Sequence, residues 1–177
     1  MGPAVIVGHS MGAIVAQQFA LEYPHLTKAM VLIGAFASFA DKPAMVEFSA
    51  AINQLTDPVD SAFIYEFQKS TLSKAIPAEK LNMYVAESMK VPAHVWQSVS
   101  NEMMSAKIFN QLQRLSVPTL IVWGDADILT LQADQDRLLT QIKNSRLIIY
   151  EHTGHAVHWE EPVRVANDLV NFIDKNL

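Results

Sequence analysis

The sequence contains no cysteine in 177 residues, which excludes disulfides, thiolate nucleophiles and thiolate metal ligands together. Positive charge is sparse. Thirteen Lys plus Arg stand against 18 acids, a net charge of -5, so the chain has no electrostatic footprint for nucleic acid. No run reaches the ~18–20 consecutive apolar residues that a membrane span needs. No basic segment followed by an apolar run opens the chain, so no secretory leader is visible. These absences lead to the expectation of a soluble, cytoplasmic protein that binds neither nucleic acid nor membrane. What is present suits a packed domain: half the residues are apolar, too many for a disordered chain, and the length fits one ordinary domain.

The chain opens abruptly. Pro3-Ala4-Val5-Ile6-Val7-Gly8 is a continuous apolar run, the pattern of a strand buried on both faces in a parallel sheet. Small and apolar residues then recur at helical spacing from Ala13 to Ala20, until Tyr23-Pro24 ends the helix. Lys28 to Ala35 reads as a second buried strand. Between residues 36 and 117 the pattern is helical, with starts marked by Asp57-Pro58, Ile76-Pro77 and Val91-Pro92. Asp57 and Asp60 are expected to flank one start as a cap and an N3 acid. Strands return at Thr119–Trp123 and Arg146–Tyr150, separated by a helix over 131–142. A last amphipathic helix is predicted to present Val163, Ala166, Leu169, Val170 and Ile173 on one face. There is no internal repeat. Alternation of this kind predicts an α/β protein with a parallel sheet of about four strands: a core formed by residues 1–35 and 118–177, and a helical insertion over 36–117.

Three motifs carry chemistry. Gly8-His9-Ser10-Met11-Gly12 fits G-x-S-x-G, with a buried strand before it and a helix after it. Glycines flank a serine in such a turn because a strained backbone leaves no room for side chains one turn away. Trp123-Gly124-Asp125-Ala126-Asp127 follows one strand and Gly154-His155 follows the next, with His158, Glu160 and Pro162 beyond. In each case the residue sits where a strand ends, at the carboxyl edge of the sheet.

With W-G-x-x-D at 123–127 and G-H-x-x-H-x-E-x-P at 154–162, in that order after the serine turn, the sequence resembles the α/β-hydrolase superfamily. Within it, the likeness is to bacterial esterase-like enzymes with a helical cap, here residues 36–117. The resemblance implies Ser10 as nucleophile, Asp127 as orienting acid, His155 as general base and the Met11 N–H as an oxyanion donor. Each role suits its residue. A serine hydroxyl needs a base to become nucleophilic, an imidazole can take and return that proton near neutrality, and a carboxylate fixes its tautomer. Asp125 competes with Asp127 for the acid role, and the spacing from Trp123 favours Asp127. No metal or organic cofactor is implied. The implied activity is hydrolysis of a carboxylic ester or related acyl substrate. Carbon–carbon hydrolysis, lactone opening, peracid formation and a weakly active or inactive scaffold stand as alternatives. Ser10 argues against branches that place aspartate at this turn.

Plainer readings stand beside these. The plainer reading of Ser10 is a helix N-cap, and that of His155 a solvated loop histidine; the motifs outweigh both. His9, His152 and His158 are expected to be structural or to support the residues of the site, and Asp134 and Asp136 to lie on a solvated helix face. Met45, Met83, Met89, Met103 and Met104, with Trp96 and Trp159, read as core filler or as the walls of an adaptable acyl pocket. The superfamily's second oxyanion donor comes from a loop that precedes the serine strand, often with a His-Gly pair, and no His-Gly occurs here. The resemblance therefore covers the C-terminal part of the family's fold. It leads to the expectation that the Ala4–Val7 edge pairs with a second copy of the chain, or with a partner supplying the N-terminal half.

Overall fold

The computed structural model describes residues 2–36 and 38–176. Four strands, β1 (Ala4–His9), β2 (Thr27–Ile33), β3 (Thr119–Gly124) and β4 (Ser145–Tyr150), form one parallel sheet in the order β1-β2-β3-β4. The register sets Val5 to His9 against Ala29 to Ile33, and Thr119 to Gly124 against Ser145 to Tyr150. Chain order and spatial order coincide and all strands are parallel, so the ends of β1, β3 and β4 that bear the motifs lie at one carboxyl edge, with β2 between the first two.

Side-chain alternation divides the core. Met30, Leu32 and Ile121 point to one face, where they meet α1 (Met11–Glu22) and α6 (Gln132–Gln141). Ala13, Ala16 and Ala20 let α1 lie close to the strands. Ala29, Val31, Leu120 and Val122 point to the other face, under the short α7 (Val157–Glu160) and α8 (Pro162–Asn176). The central strands are buried throughout from Ala29 onward, but β1 is an edge: Val7 is 48% exposed. β1 is less buried than its apolar run predicts: Val5 and Ile6 are half-buried against opposite faces, because among the described residues no strand pairs with its outer edge.

Between β2 and β3 lie α2 (Pro43–Ile52), α3 (Ser61–Ser70), α4 (Ala78–Ser88) and α5 (Ala93–Ser105), with a 3-10 turn at Phe109–Arg114. The four helices carry two small apolar clusters of their own, around Phe36, Phe39 and Met45 and around Val59, Ile64 and Ala93. Leu112 and Leu115 instead join the core of the sheet. Among the described residues no helix is long and apolar enough to cross a membrane.

Three local expectations are corrected. Asp60, not Asp57, caps α3, its carboxylate accepting from the Ala62 N–H at 2.8 Å. Asp57 accepts from the Ala93 N–H at 2.7 Å and so holds the start of α5, 36 residues on. Asp134 is buried, accepting from Lys42 Nζ and the Leu131 N–H, because it closes the first turn of α6; only Asp136 is solvated. On α8 the buried stripe is Val165, Leu169 and Phe172, which leaves Val163 and Val170 exposed.

Candidate active site

Ser10 occupies the turn between β1 and α1 with φ 53° and ψ -117°, backbone that a residue with a side chain adopts only under strain. Its N–H donates to the Ile33 carbonyl at 2.9 Å, which ties the turn to β2. A Cβ on residue 8 would lie 2.1 Å from the Gly12 carbonyl oxygen, so the turn closes only on glycine there. Gly12 differs from expectation: a Cβ at that position meets nothing within 4 Å. Although Ser10 precedes α1, its side chain makes no capping bond, so the N-cap reading does not describe it. The hydroxyl is left for other work. The first N–H groups of α1, beginning with Met11, have no partner inside the helix, and they point the helix's positive end toward this turn.

Asp127 and His155 follow the ends of β3 and β4 and meet in the interior. His155 Nδ1 lies 2.7 Å from Asp127 Oδ2, and both residues are almost fully buried. Asp127 Oδ1 accepts from the N–H groups of Leu129 and Thr130, and Oδ2 also accepts from the Thr130 hydroxyl. Burial pushes the Asp127 carboxyl up, yet the hydrogen bonds from His155 and Thr130 outweigh it and hold the group below its ordinary value. Asp125 is not in the site; its carboxylate accepts from the His152 N–H at 2.6 Å and shapes the turn after β4. His155 is no solvated loop residue. Its other ring nitrogen, Nε2, is buried with no hydrogen-bond partner among the described residues, the Ser10 hydroxyl included, while both side chains line one cavity.

His9 and His158 pack around this imidazole, their ring centres 4.5 Å apart and His9 4.8 Å from His155. His9 Nε2 lies 3.1 Å from the His155 carbonyl oxygen, so the N–H tautomer at Nε2 donates to it. Burial, reinforced by the neighbouring imidazoles of His155 and His158, pushes the His9 pKa down to about 3. Burial and then His155 lower His158 to about 4. Both rings are therefore neutral near pH 7.

Sequence reasoning quoted Glu160 as part of a motif but gave it no task. Its Oε1 accepts from the N–H groups of Ser73 and Gly154 and its Oε2 from that of Lys74, all at 2.9 Å. One carboxylate thus clamps the turn between α3 and α4 to the loop that presents His155. Gly154 is required by the closeness of that contact, since a Cβ there would lie 2.6 Å from the Ser73 nitrogen. Trp159 stacks on Tyr84 of α4 at 4.0 Å, a second fastening at the same joint. The signal in the sequence was the fixed interval from His155 to Glu160, which says nothing of the partner 86–87 residues away.

The cavity over Ser10 and His155 has a volume of about 390 Å³, and its walls are mostly apolar: Phe36, Met45, Phe48, Phe67, Trp96 and Met103 supply much of the lining. Met45 and Met103 thus take the pocket reading, whereas Met83 and Met89 are half-exposed on the surface. Thr130, Ser88 and Ser100 add hydroxyls, and no lysine or arginine is among the described lining residues.

A parallel sheet with a strained serine after its first strand and a buried Asp–His pair after its last two is the architecture of an α/β hydrolase. The chain belongs to the family described as serine aminopeptidase, S33, whose model matches residues 1–162. It is 27% identical over 195 residues to monoacylglycerol lipase ABHD6 of Mus musculus, covering 97% of this chain and 55% of that protein. It is 29% identical over 165 residues to a 2-hydroxy-6-oxononadienedioate/2-hydroxy-6-oxononatrienedioate hydrolase of Pseudomonas putida, covering 88% of this chain and 57% of the relative. In structure it is similar to the esterase EaEST of Exiguobacterium antarcticum, with a TM-score of 0.87 at 18% identity, covering 98% of this chain and 68% of that one. The chain spans about half the length of the curated relatives it matches.

Proposed function

We propose that this chain carries the catalytic machinery of a serine hydrolase acting on apolar carboxylic esters through an acyl-enzyme. The observation that carries the reading is the buried Asp127–His155 hydrogen bond, with the opposite imidazole nitrogen unpartnered in the cavity that Ser10 lines. With Nδ1–H donated to Asp127, Nε2 bears a lone pair and is the base. A rotation of the Ser10 side chain brings Oγ to it, as catalytic contacts often tighten only when substrate is bound. His155 takes the Ser10 proton as Oγ bonds to the ester carbon. The carbonyl π pair moves onto oxygen, beside the Met11 N–H and the positive end of α1. Collapse of that oxyanion breaks the bond to the alkoxy group, which leaves with the proton held on Nε2. Water then repeats the cycle, giving its proton to His155 and its oxygen to the acyl carbon, and Ser10 is regenerated.

The apolar cavity supports an acyl chain as the part recognised. Carbon–carbon hydrolysis, the reaction suggested by the Pseudomonas putida relative, fits less well. A dioate would meet no cation in this lining. The test is covalent labelling by an alkyl fluorophosphonate, followed by peptide mapping. Label is expected on Ser10, and Ser10→Ala is expected to lose both the label and hydrolysis of a 4-nitrophenyl butyrate substrate. Turnover that survives Ser10→Ala would overturn the assignment.

A further inference from the structure

A second cavity lies against the first. It is a groove of about 750 Å³ between α1 and α5, and it shares Met11, Val99 and Met103 with the cavity over Ser10. The helix register explains the shared wall. Along α5, Val95, Val99 and Met103 recur at four-residue intervals and line the inner cavity, while Ser98, Glu102 and Ser105 line the groove. One helix is the partition, and its edge residues face both sides. The floor of the groove follows the same rule on α1. Met11, Val15, Phe19 and Tyr23 stand four residues apart, a single apolar line that starts beside Ser10 and runs out along the helix. Met11, Val15 and Tyr23 on this line are 42%, 59% and 43% exposed. Gln18, Glu22, Glu102 and Lys107 supply polar edges.

Resting on the hydrolase reading above, we propose that this groove is a second chamber for substrate. It receives the far end of a long, unbranched acyl chain whose ester group is held at Ser10, and Met11, Val99 and Met103 form the passage between the chambers. The wall shared with the catalytic cavity singles out this occupant, because a chain anchored at the serine reaches the groove past the side chains of Met11, Val99 and Met103. Two of the three passage residues are methionines, unbranched and able to change rotamer at little cost, whereas Val99 is stiff. At 1.5 Å per residue the line from Met11 to Tyr23 is ~18 Å long. An extended chain with ~1.5 Å bonds spans that length with roughly fourteen carbons.

The experiment compares kcat/KM for 4-nitrophenyl myristate and 4-nitrophenyl butyrate, below the concentration at which the longer ester aggregates. Two variants are made. Val15→Glu sets a carboxylate on the groove floor at an exposed position, so the core is untouched. Met103→Trp fills the passage. Each is expected to lower the myristate-to-butyrate ratio by about tenfold or more, the effect of losing burial for about two methylenes. If Met103→Trp does not fold, Val15→Glu alone decides. A ratio that stays within about twofold of the parent value in folded Val15→Glu overturns the second chamber and leaves the hydrolase reading intact. A ratio that changes with protein concentration but not with Val15→Glu assigns the groove to a second copy of the chain and also overturns it. Absence of any Ser10-dependent butyrate hydrolysis overturns the hydrolase reading itself, and the chamber with it.

Discussion

His155 works, on this reading, because three neighbours determine its state. Asp127 fixes the tautomer, so Asp127→Asn, which can present an N–H where the carboxylate accepts, is expected to lower kcat by ~10³–10⁴ while KM changes little. Single-turnover and steady-state kinetics on a butyrate ester check it; a loss confined to KM would make Asp127 a binding residue. His9 acts from the other side, as a neutral ring packed on the imidazole, with the neutral ring of His158 packed on His9 in turn. Both have pKa values below the ordinary 6.5, about 3 and about 4, chiefly through burial. The unfolded chain binds those protons as pH falls through 6.5, while the folded chain resists them until near 4. Their neutral burial therefore costs nothing above pH 6.5, and stability is lost progressively as pH falls from there toward 4. Denaturant melts from pH 7 to pH 4 are expected to show that slope, and His9→Gln, which keeps a donor for the His155 carbonyl, is expected to flatten it. A slope unchanged in His9→Gln would remove His9 from the account. Of these residues the motifs name Ser10, Asp127 and His155, and they leave His9 and His158 as structural residues or supports of the site without saying which. Spacing reports which side chains share a strand end, but it does not report which rings stack behind them.

At the scale of elements, Glu160 makes one of the joints between the helical insertion and the loop after β4. Its carboxylate accepts from three backbone N–H groups on two segments. Lys74 Nζ adds bonds to the Thr153 hydroxyl and to Glu161, and the Ala156 N–H donates to the Thr71 carbonyl at 3.0 Å. Replacing Glu160 by Gln removes the charge from all three bonds and sets an amide NH2, a donor, where one carboxylate oxygen accepts. The expected cost is about 1–3 kcal/mol of stability. Hydrogen exchange is expected to rise at residues 71–74 and 154–156 together, since one clamp holds both. Exchange that rises at only one segment would show that they are not coupled through this side chain. The helices themselves were legible where proline and apolar spacing marked them, as at Ala78 and Ala93. The misread cases share a cause. Asp57, Asp134 and the exposed face of α8 were assigned from local periodicity, and each is decided by a partner distant in sequence or by where the helix axis lies on the sheet.

For the molecule as a whole, the outer edge of β1 is the feature with the largest consequence for assembly. It presents a row of backbone groups beside Val7, which is half-exposed, and such an edge pairs readily with another strand. We propose that two copies join β1 to β1 antiparallel about a two-fold axis, extending the sheet across both chains. Sedimentation at micromolar concentration is expected to give a dimer, and Val7→Lys, which blunts the edge, is expected to give a monomer that keeps its fold. A soluble monomer of the parent chain with freely exchanging β1 amides would show instead that the edge is tolerated. A different polypeptide paired along the same edge is the other occupant, and it would compete with the dimer. The amino-acid sequence by itself determined the strands, their parallel arrangement and the three residues at their ends, because β-branched runs, turn glycines and motif spacing act within a few residues. Only the tertiary structure decided that His9 packs on the His155 ring, that Glu160 bridges to residues 73–74, and that α5 divides two cavities. Those outcomes depend on which segments the sheet order and the helix packing bring within about 3–4 Å of one another, and contacts between distant segments leave no periodic trace in the chain.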